Sequence, residues 1–258
     1  MGTGPKNRPV PPPNPKPRRA LRAAGFLFAL ALALVAVAGA GLIFLPATPL
    51  PEAWNPARPL RLEDPVTPVT GFKLWRASRD GAMCRAALAG AGAALVAEPL
   101  PDLEDGAECG ISPRVRLSQV GDAALRPVET SCAVALRLAL WERHGLQPAA
   151  RAAFGAGVAD IRHMSSYNCR TIRTGSGPSR RMSLHATAEA IDISGVMLAD
   201  GRRIDLATGW NGPADQAVFL RAVRDSACQW FATTLGPDFN ALHADHFHLQ
   251  SRGWGRCR

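Results

Sequence analysis

The spacing of apolar residues changes character several times along the chain, and each change marks a different kind of element. Residues 23–45, AAGFLFALALALVAVAGAGLIFL, carry no charge and have no polar face. Coiled as a helix, this run of 23 residues spans roughly 34 Å at about 1.5 Å per residue, against about 30 Å of bilayer hydrocarbon. Further on the pattern becomes that of shorter, amphipathic elements. Residues 79–88 read as a short helix with Asp80 near its start. In 132–144, Val134, Leu138 and Trp141 recur at helical spacing, and Gly145 predicts the end of that helix. Residues 158–164 read as a strand, and 168–181, rich in Gly, Ser and Arg, as a loop. The stretch AIDISGVMLADGRRIDL predicts two strands joined through Asp200 and Gly201, a strong hairpin dipeptide. Residues 215–231 place Phe219, Val223 and Trp230 on or near one helical face. The alternation of HADHFHLQ, starting at His243, predicts a final strand. Helices first, then strands, a helix and a last strand favour an α+β fold with a small central antiparallel sheet and packed helices, after one N-terminal transmembrane helix.

Charge placement refines the picture. The chain of 258 residues has a formal net charge of +9. Lys6, Arg8, Lys16, Arg18, Arg19 and Arg22 stand ahead of the apolar run with no acid among them, while the remainder is nearly balanced. No basic stripe interleaved with aromatics follows, so the charge predicts no nucleic-acid partner. Basic residues before the run, and Pro46 and Pro51 after it, predict a cytoplasmic N-terminus and an exported C-terminal part. Two readings of the run stay open: an anchor retained in the inner membrane, or a signal peptide cleaved near Ala38-Gly39-Ala40. Four segments result: a basic, proline-rich cytoplasmic tail at 1–22, the anchor or signal at 23–45, a proline-rich spacer at 46–65, and a periplasmic domain at 66–258. The six cysteines, Cys84, Cys109, Cys132, Cys169, Cys228 and Cys257, all follow the apolar run and form no C-x-x-C pair. An even, scattered set in an exported chain predicts disulfides.

Two stretches carry candidate chemistry. On a strand, His246, His248 and Gln250 share one face and Phe247 and Leu249 the other. In SLHATAEAIDISG, Ile191 and Ile193 face the core, so Asp192 faces away, on the side of the small residues Ala190 and Ser194. His185, on the loop leading into that strand, can fold back toward Asp192. Two imidazoles and a carboxylate suit Zn2+, whose catalytic sites take three protein ligands and keep one position open. His185, Asp192 and His248 are the expected ligands. Asp245 and His246, flanking the last of them, are the candidates to move a proton and to steady developing negative charge. His243 reads as a surface residue.

SLHATAEAID followed by DHFH is similar to the S-x-H-x6-D and H-x-H signatures of zinc peptidoglycan peptidases, among them D-alanyl-D-alanine carboxypeptidases, lysostaphin-type endopeptidases and the penicillin-insensitive murein endopeptidase. More closely, DPVT, MCRAAL, SSYNCRTI, HATAEAIDI, FLRAVRDSAC and GPDFNALHADHFHL resemble the bacterial extensin-like C-terminal family from about Asp64 onward. Nothing here has the serine–proline repeats of plant extensins. The resemblance implies a compact zinc-peptidase fold, a zinc ion on His185, Asp192 and His248, and peptidoglycan as partner. It offers both His246 and Asp245 as base and leaves the two open. It also implies an arginine that holds a substrate carbonyl or carboxylate, here Arg170, displaced from its usual place and in competition with Arg173. The glycine usual in H-x-x-G-x-A-x-D is Ala188 in this chain. The expected activity is a membrane-anchored zinc metallopeptidase acting on peptidoglycan. The alternative is a non-catalytic wall-binding or structural zinc protein of the same fold, whose mark would be a fourth protein ligand.

Overall fold

Contacts divide the chain into two units, Met1–Pro51 and Glu52–Arg258. The structure is a computed structural model and describes residues 16–45, 48–92, 95–175, 177–253 and 255–258. The greater part of the basic, proline-rich tail (1–15) and the start of the spacer (46–47) lie outside the described residues. In the first unit, α1 (Lys16–Phe44) contains an apolar stretch, Leu21–Phe44, of a length and composition that fit a membrane anchor or a signal sequence.

The second unit begins earlier than residue 66. A 3-10 turn at Glu52–Trp54 opens it, and Leu60 and Leu62 are buried in its core. Successive turns, closed by the Arg58 amide on the Asn55 carbonyl and the Asp64 amide on the Arg61 carbonyl, fold this stretch, and the two leucines bury apolar surface that holds it against the domain. Next come α2 (Thr70–Arg79) and α3 (Gly81–Gly90), where sequence spacing predicted one helix. Asp80 separates them: its side chain accepts a hydrogen bond from the Met83 amide (2.9 Å) and caps α3.

Five strands follow that the sequence reading passed over: β1 (Leu95–Pro99), β2 (Leu103–Glu104), β3 (Gly110–Ile111), β4 (Arg114–Val120) and β5 (Ala123–Ser131). In β4 the buried Val115 and Leu117 alternate with the arginines at 114 and 116, the period-2 signature of a half-buried strand. Ser131 then caps α4 (Cys132–Trp141). The helix does not stop at Gly145. It passes through a π-helical turn, Glu142–Leu146, into α5 (Gln147–Phe154), which ends on the left-handed Gly155. Gly145 serves close packing rather than termination, since a β-carbon there would stand 2.5 Å from the Ser226 hydroxyl.

The remaining elements are β6 (Val158–His163), β7 (Thr171–Thr174), β8 (Gly177–Met182), β9 (Ala190–Leu198), β10 (Arg203–Asp205), α6 (Leu206–Gly209), α7 (Ala214–Trp230), β11 (Thr233–Leu235), β12 (Phe247–Gln250) and β13 (Arg256–Cys257). The expected loop at 168–181 is thus largely the β7–β8 hairpin. Gly175 stands in the turn and Gly177 opens β8, while the β-branched Thr171, Ile172 and Thr174 suit a pleated strand. The hairpin through Asp200 and Gly201 forms as expected, with Gly201 at φ +87°.

The central sheet is mixed and nine-stranded, not small and antiparallel. Its order is β1-β4-β5-β6-β9-β12-β11-β13, with β10 beside the far half of β9. β5 and β6 run parallel, as do β11 and β13. Helices cover one face: α4 packs on β4, β5 and α7, and α2 and α3 pack on α4. Leu117, Ile161, Ile191, Ile193, Phe247 and Leu249 meet Leu74, Leu138, Trp141 and Phe219 in one core cluster. Three disulfides staple this α+β domain: Cys84–Cys132, Cys109–Cys169 and Cys228–Cys257.

Candidate metal centre

The core fixes which side chains face away from it. Ile191 and Ile193 of β9, and Phe247 and Leu249 of β12, lie in the hydrophobic cluster, so alternation sends Asp192 and His248 to the opposite face of the sheet. β9 and β12 are antiparallel neighbours and Asp192 stands directly across from His248. Their side chains meet: His248 Nδ1 lies 2.8 Å from Asp192 Oδ1.

His185 arrives from a 3-10 turn, Leu184–Thr187. Ser183 caps that turn, its hydroxyl accepting from the His185 amide at 3.3 Å. Ala188 ends it at φ +49°, the left-handed conformation that a β-carbon disfavours. A glycine would hold the same conformation without that strain. The turn aims His185 Nε2 at the centre, 3.1 Å from Asp192 Oδ2 and 3.1 Å from His248 Nδ1. The donor atoms of His185, Asp192 and His248 all lie within 4.8 Å of one another.

Protons decide what such a cluster wants. His185 Nδ1 is 2.7 Å from the Ser166 carbonyl, which can only accept. Nδ1 therefore donates, and in the neutral ring Nε2 keeps a bare lone pair. That lone pair faces a carboxylate oxygen, an arrangement relieved only by a further proton or a shared cation. Burial opposes ionisation of Asp192, yet its two imidazole partners prevail and hold the carboxyl well below the usual carboxylate range. Burial also lowers the His248 imidazole, against the pull of Asp192. A carboxylate and two imidazoles meeting in a largely buried cluster fit a borderline-soft cation such as zinc, and fit calcium or magnesium poorly, since those take oxygen ligands.

Around these three the expected neighbours divide. His246 precedes β12 rather than lying within it; its Nε2 is 3.7 Å from Asp192 Oδ1, and its Nδ1 is 2.8 Å from Asp245 Oδ1. Asp245 is exposed and reaches the cluster through His246. His243 is not a free surface residue. It closes a 3-10 turn, Ala241–His243, and is half-buried with its ring 5.2 Å from that of His246 and 5.6 Å from that of His248. Burial, aided by His248 and His246, pushes the His243 imidazole down to about 4. Arg170 is lowered by burial and by Arg173, while Asp192 acts in the opposite sense, so Arg170 feels the charge of the centre. Arg173 is exposed on β7.

One supporting group escaped the sequence reading, and another was placed by it on the right face without a role. The Ser166 carbonyl left no signal, because backbone oxygens carry none. Gln250 did leave one, since it shares the alternating face of His248, and its side-chain amide sits 2.7 Å from His248 Nε2.

Fold and site together define a disulfide-stapled α+β domain with a histidine–aspartate–histidine cluster on the sheet face opposite its helices. The chain belongs to the family described as Extensin-like protein C-terminus, whose model matches residues 82–258. No curated protein and no solved structure matches the chain.

Proposed function

We propose that this protein is a zinc-dependent hydrolase of peptide bonds in peptidoglycan, D,D-peptidase-like, anchored in the inner membrane by α1 with its domain in the periplasm. One observation carries the reading: three donor atoms from two distant segments point at one another within 4.8 Å. Three ligands rather than four suit a catalytic site. Three disulfides suit an oxidising compartment, and the apolar stretch of α1 suits export. The similarity to zinc peptidoglycan peptidases supplies the substrate class.

His185 Nε2, His248 Nδ1 and a carboxylate oxygen of Asp192 would hold the ion. When bound, zinc supplies Lewis acidity. The chain's own groups do the rest. Asp245 accepts from His246 Nδ1, so the neutral His246 ring presents a bare Nε2 toward the centre, as a general base requires. Asp245 is then the positioning residue for that ring and not itself the base. Arg170, which feels the charge of Asp192, would hold a substrate carbonyl or carboxylate and steady developing charge. Gln250 and Ser166 fix the rings of His248 and His185.

The test uses the full chain, purified in detergent under oxidising conditions, with metal measured by mass spectrometry and muropeptide release measured on purified sacculi. About one zinc per chain is expected, lost in His185→Ala and largely retained in His246→Ala, with release abolished in both. Zinc without release by the wild type would replace this reading with that of a non-catalytic wall-binding zinc protein. Absence of zinc would end both.

A further inference from the structure

Among the described residues, the domain's most exposed aromatic side chains are not at the candidate metal centre. Phe72 (47% exposed) and Trp75 (50%) sit on α2, and Trp54 (49%) on the turn that opens the folded unit. Phe72, Trp75, Arg76 and Arg79 follow helical spacing and share one face, while Leu74 and Ala77 on the other face join the core. The two rings stack with centroids 5.9 Å apart, Arg76 lies over Phe72 and Arg79 over Trp75. The segment bearing Trp54 is fastened along this helix. Lys73 Nζ donates to the Glu52 carbonyl (2.9 Å), and Arg76 Nη1 donates to the Pro56 carbonyl (2.7 Å).

We propose that this face, Trp54, Phe72, Trp75, Arg76 and Arg79, docks the folded unit onto the surface of an anionic lipid bilayer. The composition points to lipid: tryptophan and phenylalanine sit at the boundary between hydrocarbon and headgroup, and arginine attracts anionic headgroups. Nearby acids are engaged elsewhere. Glu52 and Glu63 pair with Arg61, Asp64 lies beside Lys73, and Asp80 caps α3. The covalent chain adds the second argument. From Phe44, the end of α1, to Trp54 the chain can span at most about 35 Å. With α1 retained in a bilayer, a reading on which this proposal rests, the patch is confined beside that bilayer at high effective concentration, so a few residues suffice. Docking also has a consequence for the site. α2 belongs to the helical side of the sheet and the His185–Asp192–His248 cluster to the other, so a docked domain turns its cluster away from the lipid.

Full-length protein is reconstituted into vesicles of phosphatidylethanolamine and phosphatidylglycerol, with plain or brominated acyl chains, and into phosphatidylcholine alone. Flotation on a density gradient reads the anchor, and quenching of tryptophan emission by brominated lipid reads the face. α1 contains no tryptophan to confuse the two. Quenching is expected on the anionic vesicles and should fall to background in Trp54→Phe/Trp75→Phe. In Arg76→Glu/Arg79→Glu, which keeps both fluorophores, docking should weaken by at least about fivefold per arginine. Flotation without quenching overturns the proposal and spares the anchor; failure to float removes both. Quenching that the double tryptophan variant leaves intact, or self-association abolished by Phe72→Ser without quenching, also overturns it.

Discussion

His185 Nε2 and His248 Nδ1 stand 3.1 Å apart, though 63 positions separate the two residues in the chain. Nitrogens that close repel through their lone pairs unless one carries a proton or both take a metal ion. Without a cation, the His248 ring hydrogen sits on Nδ1 toward Asp192, and Gln250 donates its amide hydrogen to Nε2. A cation on Nδ1 would move that hydrogen to Nε2, and Gln250 would then turn its amide so that the oxygen accepts.

Gln250 is thus predicted to tune metal affinity. Gln250→Ala should weaken zinc binding by about 10- to 100-fold. Gln250→Glu, which offers only acceptors to Nε2–H, should retain it. Competition titration against a chromogenic chelator checks both, and equal affinity in wild type and Gln250→Ala would remove Gln250 from the centre.

Ala188 holds the turn that presents His185 in a left-handed conformation, and it is fully buried. Ala188→Val adds a β-branched side chain where φ is positive and there is no room. A loss of about 2–4 kcal/mol is expected from backbone strain and overpacking together. Urea unfolding followed by tryptophan emission measures it.

The Cys109–Cys169 bridge closes the longest of the three disulfide loops, 60 residues, and Cys169 precedes Arg170. The chain there is bonded to the ligand turn: the Asn168 amide donates to the His185 carbonyl and the Ser183 amide to the Arg170 carbonyl, both at 3.0 Å. Cys109→Ser/Cys169→Ser should cost about 4 kcal/mol of stability from the loop length. It leaves His185, Asp192 and His248 untouched, so on the proposed reading bound metal should persist while muropeptide release falls.

Glu142, 2% exposed, occupies the π-helical turn and accepts from the Asp122 amide and from Gln147. Burial outweighs these bonds and raises its carboxyl above the ordinary 4.5. An acid whose folded-state pKa is raised favours folding while it is protonated. Its contribution is complete below the unfolded value and is lost as pH rises through the folded one. Glu142→Gln should therefore gain stability over the wild type as pH rises above about 4.5, with the difference vanishing below that. Unfolding midpoints of both proteins across pH 3–8 decide this; a constant difference would contradict it.

Much of this protein is legible along the chain because the signals are local. The apolar run of α1 shows itself by length, the β9–β10 hairpin by its Asp-Gly turn, and the facing of Asp192 and His248 by alternation. The strands from β1 to β5 carried a similar alternation, plain in Val115 and Leu117, that the helical start of the domain overshadowed. The sequence alone also offered His185, Asp192 and His248 as a ligand set, because residue type and spacing are properties of the chain. What only the tertiary structure decided were relations between distant segments. The antiparallel register sets Asp192 across from His248, the Ser166 carbonyl fixes the His185 ring, and the packing of α7 explains Gly145. The pairing of six cysteines and the position of His243 against the cluster are of the same kind. Each depends on which surfaces the core brings together, and burial of apolar area across the whole domain makes that choice without leaving a local mark.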